Sequence, residues 1–153
     1  MTADKKLKVA ALRNGTVIDH IPADKLYKVV YILHLDTCEH QITIGNNLES
    51  AKVGKKGIIK ISDRAFADNE TNKIALIAPN AKINIIRDYV VVEKRPLVLP
   101  DEVREIVQCG NPNCVTNHQP VTTLFHVIRN EAEFVLKCHY CERETKMDEV
   151  KIK

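Results

Sequence analysis

Four of the five cysteines in this chain of 153 residues form two close pairs in its last third. Four residues separate Cys109 from Cys114, and two separate Cys138 from Cys141. A tetrahedral Zn²⁺ takes four soft ligands at about 2.3 Å, and two short loops that face each other can supply them. Four thiolates leave no coordination position for water or substrate. The spacing therefore predicts a structural zinc site that stabilises the fold and does no chemistry.

Two other uses of these cysteines remain open from the residues alone. Disulfides would suit an oxidising compartment, but we expect no signal peptide, and Cys38 would be left without a partner. A redox dithiol could use Cys138 and Cys141 but would leave Cys109 and Cys114 without a purpose. Zinc uses all four cysteines, and such usage without a targeting segment predicts a cytoplasmic protein.

Composition and charge restrict the classes of partner. The hydrophobic fraction of 44% and the charged fraction of 28% are ordinary for a globular protein. No apolar run approaches the roughly 20 residues that cross a bilayer, so we expect no membrane contact. Residues 1–100 carry 16 Lys/Arg and 11 Asp/Glu (+5), whereas residues 101–153 carry 7 and 9 (−2). The acidic cysteine-bearing part is a poor candidate for binding nucleic acid, which requires neutralisation of phosphates.

The periodicity of apolar residues predicts an α+β N-terminal part. The expected elements are a strand over 6–12, a loop over 16–22, a helix over 22–35, strands over 41–48 and 58–62, a helix over 68–78, and strands over 81–86 and 89–94. This order is the split βαβ arrangement of ferredoxin-like folds, βαββαβ, with one additional strand at the end. We expect an antiparallel sheet with both helices on one face.

A second, β-rich domain follows a connector over residues 95–100, which has a proline at each end of an apolar stretch. Short strands are predicted over 103–109, 124–129 and 133–138 and near Val150. A domain of this small size seldom buries enough apolar surface to fold without help. We therefore expect the metal to stabilise this domain. The predicted domains are therefore residues 1–97, which would bind a ligand, and residues 101–153, which would bind zinc.

The basic N-terminal part offers candidates for an anion site. The first candidates are Lys52, Lys55, Lys56, Lys60 and Lys94. Lysines at strand ends usually protect solvated edges, but they can also act as point charges toward phosphates. Asp19 and His20 can likewise bind a ribose or a base, or simply lie at the surface. The sequence contains no G-x-S-x-G, P-loop, H-E-x-x-H or dinucleotide motif, so it predicts a binding protein and not an enzyme.

Together these features resemble one family, the regulatory chain of aspartate carbamoyltransferase. The resemblance covers the whole chain and is most specific at Gly15–Pro22, Ile42–Gly45, Ile59–Ile61 and the four cysteines. It implies an allosteric N-terminal domain and a zinc-binding C-terminal domain without catalytic activity. Family members bind CTP as feedback inhibitor and ATP as activator at one shared site, often with UTP acting alongside CTP, and so regulate pyrimidine biosynthesis.

The resemblance also implies particular site residues. The nucleotide site would use Val9, Ala11, Leu12, Val17, Asp19, His20, Lys56, Lys60, Asn84, Ile86, Tyr89, Val91 and Lys94. The contact with the catalytic chain would use Asn111, Asn113, Glu142 and Arg143. Regulatory chains of this family pair as homodimers, and three dimers bridge two catalytic trimers. One Zn²⁺ per chain would be held by Cys109, Cys114, Cys138 and Cys141.

Two residues depart from the family pattern, and two alternative functions remain. Ala10 stands where an acidic residue is expected, and His139 stands where a lysine is expected at the catalytic interface. A zinc-ribbon protein that binds nucleic acid would need a basic, aromatic-rich face, and the second domain offers only Phe125, Phe134 and Tyr140. Alternatively, the N-terminal domain could bind a different small effector, such as an amino acid.

Overall fold

The computed structural model describes residues 11–51, 54–131 and 133–153, which divide into two compact units between Val98 and Leu99. Among the described residues, no helix is long and apolar enough to cross a membrane.

The first unit is a five-stranded sheet with two helices. Its elements are β1 (Gly15–Pro22), α1 (Leu26–Ile32), β2 (Ile42–Ser50), β3 (Gly54–Ser62), α2 (Asp68–Ala75), β4 (Lys82–Arg87) and β5 (Val90–Arg95). The strand order is β2-β3-β1-β4-β5, and every neighbouring pair is antiparallel. The first four strands have the order of a ferredoxin-like βαββαβ sheet, and β5 adds an edge next to β4. The predicted fold class is confirmed.

The loop predicted over 16–22 is wrong, because these residues form β1 at the centre of the sheet. These residues do not show the alternation of buried and exposed positions that is typical of a strand, because Thr16, Val17 and Ile18 are all buried. A bulge then shifts the register between Ile18 and Ile21, where His20 has a φ of 59°. Residues 6–10 of the strand predicted over 6–12 lie outside the described residues, and residues 11 and 12 have no regular structure.

The two faces of the sheet differ in burial. Ile18, Ile59 and Ile83 alternate with more polar neighbours, and each is at most 1% exposed. Gly57 lies on the same face as Ile59, and a Cβ built on it would come within 2.7 Å of Leu26 Cδ1 in α1. Helix α1 therefore covers this face, and α2 packs beside α1. The opposite face carries polar side chains such as Lys60, Asn84 and Lys94 beside the apolar Val17.

A buried hydrogen bond connects β1 to the segment before α2. The Thr16 hydroxyl donates to the carbonyl oxygen of Arg64 at 2.6 Å, and Thr16 is fully buried. We expect Thr16→Val, which keeps the shape but removes the donor, to lower the free energy of unfolding by about 1–2 kcal/mol in urea denaturation. Thr37→Val is the control, since its hydroxyl donates to His34 at an exposed site, and it should cost less than about 0.5 kcal/mol. Equal losses in both variants would contradict a stabilising role for this buried bond.

The second unit consists of short strands in two sheets. These are β6 (Glu102–Arg104), β7 (Val107–Gln108), β8 (Leu124–Arg129), β9 (Phe134–Cys138), β10 (Glu144–Lys146) and β11 (Lys151–Ile152). One sheet has the order β10-β9-β8-β6, and the other pairs β11 with β7. The single strand predicted over 103–109 is wrong, because Glu105 has a φ of 61° and divides it into β6 and β7. Phe125, Leu136 and Val103 form the core of this unit.

Candidate functional sites

The open face of the first sheet carries a row of side chains that crosses all five strands. Thr43 pairs with Lys60, Lys60 with Val17, Val17 with Asn84, and Asn84 with Lys94. Directly paired residues point to the same face, and neighbouring strands lie about 4.8 Å apart. The register therefore aligns four of the predicted ligand-binding residues across one surface.

A cleft of about 500 Å³ lies at the β1, β4 and β5 end of this row, within the usual size range of small-molecule sites. The residues that line it are Asp19, His20, Lys82, Ile83, Asn84, Lys94, Arg95 and Pro96. Four of these, at positions 19, 20, 84 and 94, were predicted from the resemblance. Cations surround the cleft, which suits it to an anionic ligand.

The bulge in β1 brings two consecutive polar residues to this cleft. Asp19 Oδ1 lies 2.8 Å from Lys56 Nζ, and both side chains are only 20% exposed. The backbone N–H of His20 donates to the same carboxylate at 2.6 Å. His20 Nδ1 is buried and lies 3.6 Å from Asp19 Oδ2, beyond hydrogen-bond distance. This nitrogen therefore has no hydrogen-bond partner among the described residues.

Among the described residues, Lys60 is the lysine whose pKa departs most clearly from the ordinary value. Burial lowers its pKa, and the nearby Asp19 carboxylate acts in the opposite direction. Because Lys60 is partly dehydrated, a hydrogen-bond acceptor of a ligand placed beside it would interact strongly with its charged form.

The remaining predicted nucleotide residues lie around this row. Ile86 follows Asn84 by two residues on β4, and it pairs in register with Gly15 on β1 and with Val91 on β5. Tyr89 is 65% exposed in the β4–β5 turn, and its N–H donates to Arg13. Ala11 and Leu12 precede β1; Ala11 is exposed and Leu12 is half-buried. Val9, Ala10 and Lys52 lie outside the described residues.

Sequence reasoning missed two cations in the cleft, Lys82 and Arg95. Lys82 lies two residues before Asn84 on β4, so strand alternation places both on the same face, and Lys82 pairs in register with Asp19. That two-residue spacing was a usable signal. The Arg95 guanidinium donates to the carbonyl oxygen of Phe66 and lies near Glu93, so it also holds β5 in place.

The four predicted metal ligands converge in the second unit. The Sγ atoms of Cys109, Cys114, Cys138 and Cys141 all lie within 4.8 Å of one another. The Cys109–Cys141 and Cys114–Cys138 distances are 3.6 and 3.7 Å. Disulfide sulfurs lie about 2.05 Å apart, whereas a tetrahedron with Zn–S bonds of about 2.3 Å has edges of about 3.8 Å. The geometry excludes disulfides within this cluster and fits a tetrahedral metal.

Hydrogen bonds fix the loops that carry these sulfurs. The Thr116 hydroxyl donates to Cys114 Sγ at 3.2 Å. The Asn117 side-chain amide donates to the carbonyl oxygens of Cys109 and Asn111. In the second loop, Glu142 has a φ of 63° and its N–H donates to the carbonyl oxygen of Cys138. Such contacts orient ligands and tune the metal they hold.

The protonation of the thiols depends on burial and on neighbouring donors. Burial raises the pKa of Cys109 to about 12 and also raises that of Cys138. Burial has the same effect on Cys141, but donors that include the Arg143 N–H and the Asn111 side chain outweigh it and bring the pKa to about 7. A metal would therefore displace protons when it binds.

The residues predicted to contact a catalytic chain lie on the same two loops. Asn113, Glu142 and Arg143 are exposed. The Asn111 side chain is partly used inside its loop, where its oxygen accepts the N–H of Asn113 at 3.0 Å.

Comparison with known proteins gives two matching family models. Residues 7–98 match the allosteric domain of the aspartate carbamoyltransferase regulatory chain, and residues 101–151 match its metal binding domain. The regulatory chain of Phocaeicola vulgatus is 58% identical over 146 residues, covering 95% of this chain and 94% of the relative. That of Parabacteroides distasonis is 53% identical over 155 residues and covers 100% of both chains. That of Pyrococcus abyssi is 50% identical over 147 residues, with 95% and 96% covered.

Proposed function

This chain belongs to the family of aspartate carbamoyltransferase regulatory chains, and from that premise we propose that its first unit senses CTP and ATP. Family membership confirms the prediction of a regulatory chain of a transferase complex, as opposed to an enzyme. The observation that carries the proposal is the cation-lined cleft of about 500 Å³ at the end of the Lys60–Val17–Asn84–Lys94 row.

The chemistry of the cleft suggests how a nucleoside triphosphate would lie. Lys94 and His20 meet the phosphates, since a lysine acts as a point charge and His20 lines the same cleft. Asp19 and Lys60 meet the ribose and the base. The missed cation Lys82, in register with Asp19, adds a further positive charge near the phosphates.

The rest of the predicted set recognises the base. Val17 and Val91 line the ring with apolar surface, and backbone groups at Leu12, Ile86 and Tyr89 read its edges. CTP and ATP share this one site, and UTP acts alongside CTP. A sensor for a different effector would bind neither nucleotide.

The second unit binds a metal, and we assign the ion as one Zn²⁺ per chain. Four thiolates in a closed cluster are the ligand set of structural zinc. The metal holds the two loops that carry Asn111, Asn113, Glu142 and Arg143, and these loops dock on the catalytic chain. A reduced cytoplasm keeps the thiols available for the metal.

Regulation then follows from the assembly, in which regulatory chains pair as homodimers and bridge catalytic trimers. A nucleotide shifts such a two-state assembly only by binding one state more tightly than the other. The sign of each effect therefore depends on the complex and not on the isolated chain.

The proposed nucleotide site is tested by calorimetric titration of the zinc-loaded chain with CTP, followed by ATP as competitor. We expect saturable binding at one site per chain and displacement of CTP by ATP. Cytidine, which lacks the phosphates, is the ligand control and should bind far more weakly. A folded, zinc-loaded chain that binds neither triphosphate would overturn the assignment and favour a different effector.

A further inference from the structure

Two histidines converge near the cysteine cluster without belonging to it. His126 lies on β8, and His139 follows Cys138 at the end of β9. His126 Nε2 and His139 Nδ1 are 2.9 Å apart, and both side chains are exposed to solvent. Among the described residues, the four-cysteine cluster includes neither imidazole, so the pair is a separate set of ligand atoms.

The distance between the two nitrogens suits one kind of metal. With metal–nitrogen bonds of about 2.05 Å, two nitrogens 2.9 Å apart subtend an angle of about 90° at the metal. This is the angle between neighbouring ligands in octahedral or square-planar coordination, which Ni²⁺ and Cu²⁺ adopt with imidazoles. One of the two nitrogens donates the hydrogen bond, so metal binding requires that ring to carry its proton on its other nitrogen. Modest rotation of the exposed rings would then direct both lone pairs toward one ion.

A carboxylate lies on the far side of His126. Glu102 pairs in register with His126, and its Oε1 lies 3.9 Å from His126 Nδ1. This distance is too long for a hydrogen bond, but a carboxylate beside the second ring nitrogen adds negative charge that favours a bound cation. Glu102 also contacts Arg104, and Lys137 pairs with His126 from β9, so two cations flank the site. Both belong to long side chains at the surface and can turn away from a bound ion.

We propose that His126 and His139 form a second metal site that binds one Ni²⁺ or Cu²⁺ ion, with water completing its coordination. The two imidazoles are separate from the four cysteine ligands and lie in the other unit from the nucleotide cleft. Because His139 stands at the position expected to contact the catalytic chain, we expect the site to be open in the unassembled chain. It is specific to chains that carry both histidines.

The test is calorimetric titration of the zinc-loaded full chain with Ni²⁺, with zinc release followed by a chromogenic chelator. We expect one Ni²⁺ per chain beyond the zinc, without zinc release and with a Ni²⁺ d–d absorption band. His126→Ala and His139→Ala should each weaken this binding at least about tenfold. His40→Ala, at an exposed histidine of the first unit, is the matched control and should leave it unchanged.

The site is ruled out if the double variant His126→Ala, His139→Ala binds Ni²⁺ as the wild type does. It is also ruled out if Ni²⁺ uptake equals zinc release, because the cysteines would then be the ligands. Should His139→Ala disturb the neighbouring cysteine loop, the milder His126→Gln decides, with zinc content measured in parallel. Retained zinc with lost Ni²⁺ binding supports the pair.

Discussion

Cys114→Ala is expected to abolish stoichiometric zinc binding and to unfold the second unit. Cys114 Sγ lies 3.7 Å from Cys138 Sγ at the centre of the cluster, and both cysteines are buried. Structural zinc contributes on the order of 10 kcal/mol to the folding of small domains, more than so small a core supplies by itself. Metal analysis should find a large loss of zinc, and circular dichroism should show loss of strand structure.

The same variant should fail to co-elute with the catalytic chain, because the proposed docking residues lie on the two metal-bound loops. Cys38→Ala is the matched control, since Cys38 lies in the first unit and outside the cluster. It should keep one zinc per chain and should still assemble. A Cys114→Ala chain that assembles normally would contradict the docking role, and one that keeps its full zinc would contradict the ligand assignment.

Lys94→Ala is expected to weaken CTP and ATP binding by about 10- to 100-fold, which corresponds to about 1.4–2.7 kcal/mol lost from a charge-assisted contact. Lys94 lines the cleft and pairs in register with Asn84. Zinc content and assembly should be unchanged because the substitution lies in the other unit. Calorimetric titration of the variant measures the effect directly.

Lys55→Ala controls for the loss of one positive charge. Lys55 lies on β3 next to Lys56, so strand alternation directs its side chain to the opposite face from Lys60. It is exposed and pairs with Glu49, so its removal should change CTP affinity by less than about twofold. The site assignment fails if Lys94→Ala binds CTP with unchanged affinity, or if both variants weaken binding equally.

The residues that sequence reasoning placed correctly are those whose spacing alone has a physical meaning. Two cysteine pairs on short loops have few other uses, so the cluster could be predicted without a fold. The order of helices and strands was also readable, because most elements show clear apolar periodicity. The fold class followed from that order.

The errors arose where the backbone departs from regular geometry. The β1 bulge at Asp19 and His20 interrupts the alternation of apolar and polar residues, so a central strand resembled a loop. Glu105 has a positive φ and interrupts the strand predicted at the start of the second unit. Because this residue is not a glycine, the sequence contains no signal of that conformation. Lys82 was missed although its two-residue spacing from Asn84 was a usable signal, and its pairing with Asp19 became clear only from the sheet order.

The cross-strand row has a consequence for the abundance of the protein. Lys60, Val17, Asn84 and Lys94 belong to four strands, so only the complete sheet can hold a ligand at all of them. A ligand that binds only the folded state adds about 2.7 kcal/mol of stability at a concentration one hundred times its dissociation constant. The fraction of chain exposed to proteases would then fall by about a hundredfold when effector is plentiful. If the first unit binds nucleotides as proposed, the pool of regulatory chains would become sensitive to nucleotide supply through turnover, separately from any change in catalytic rate.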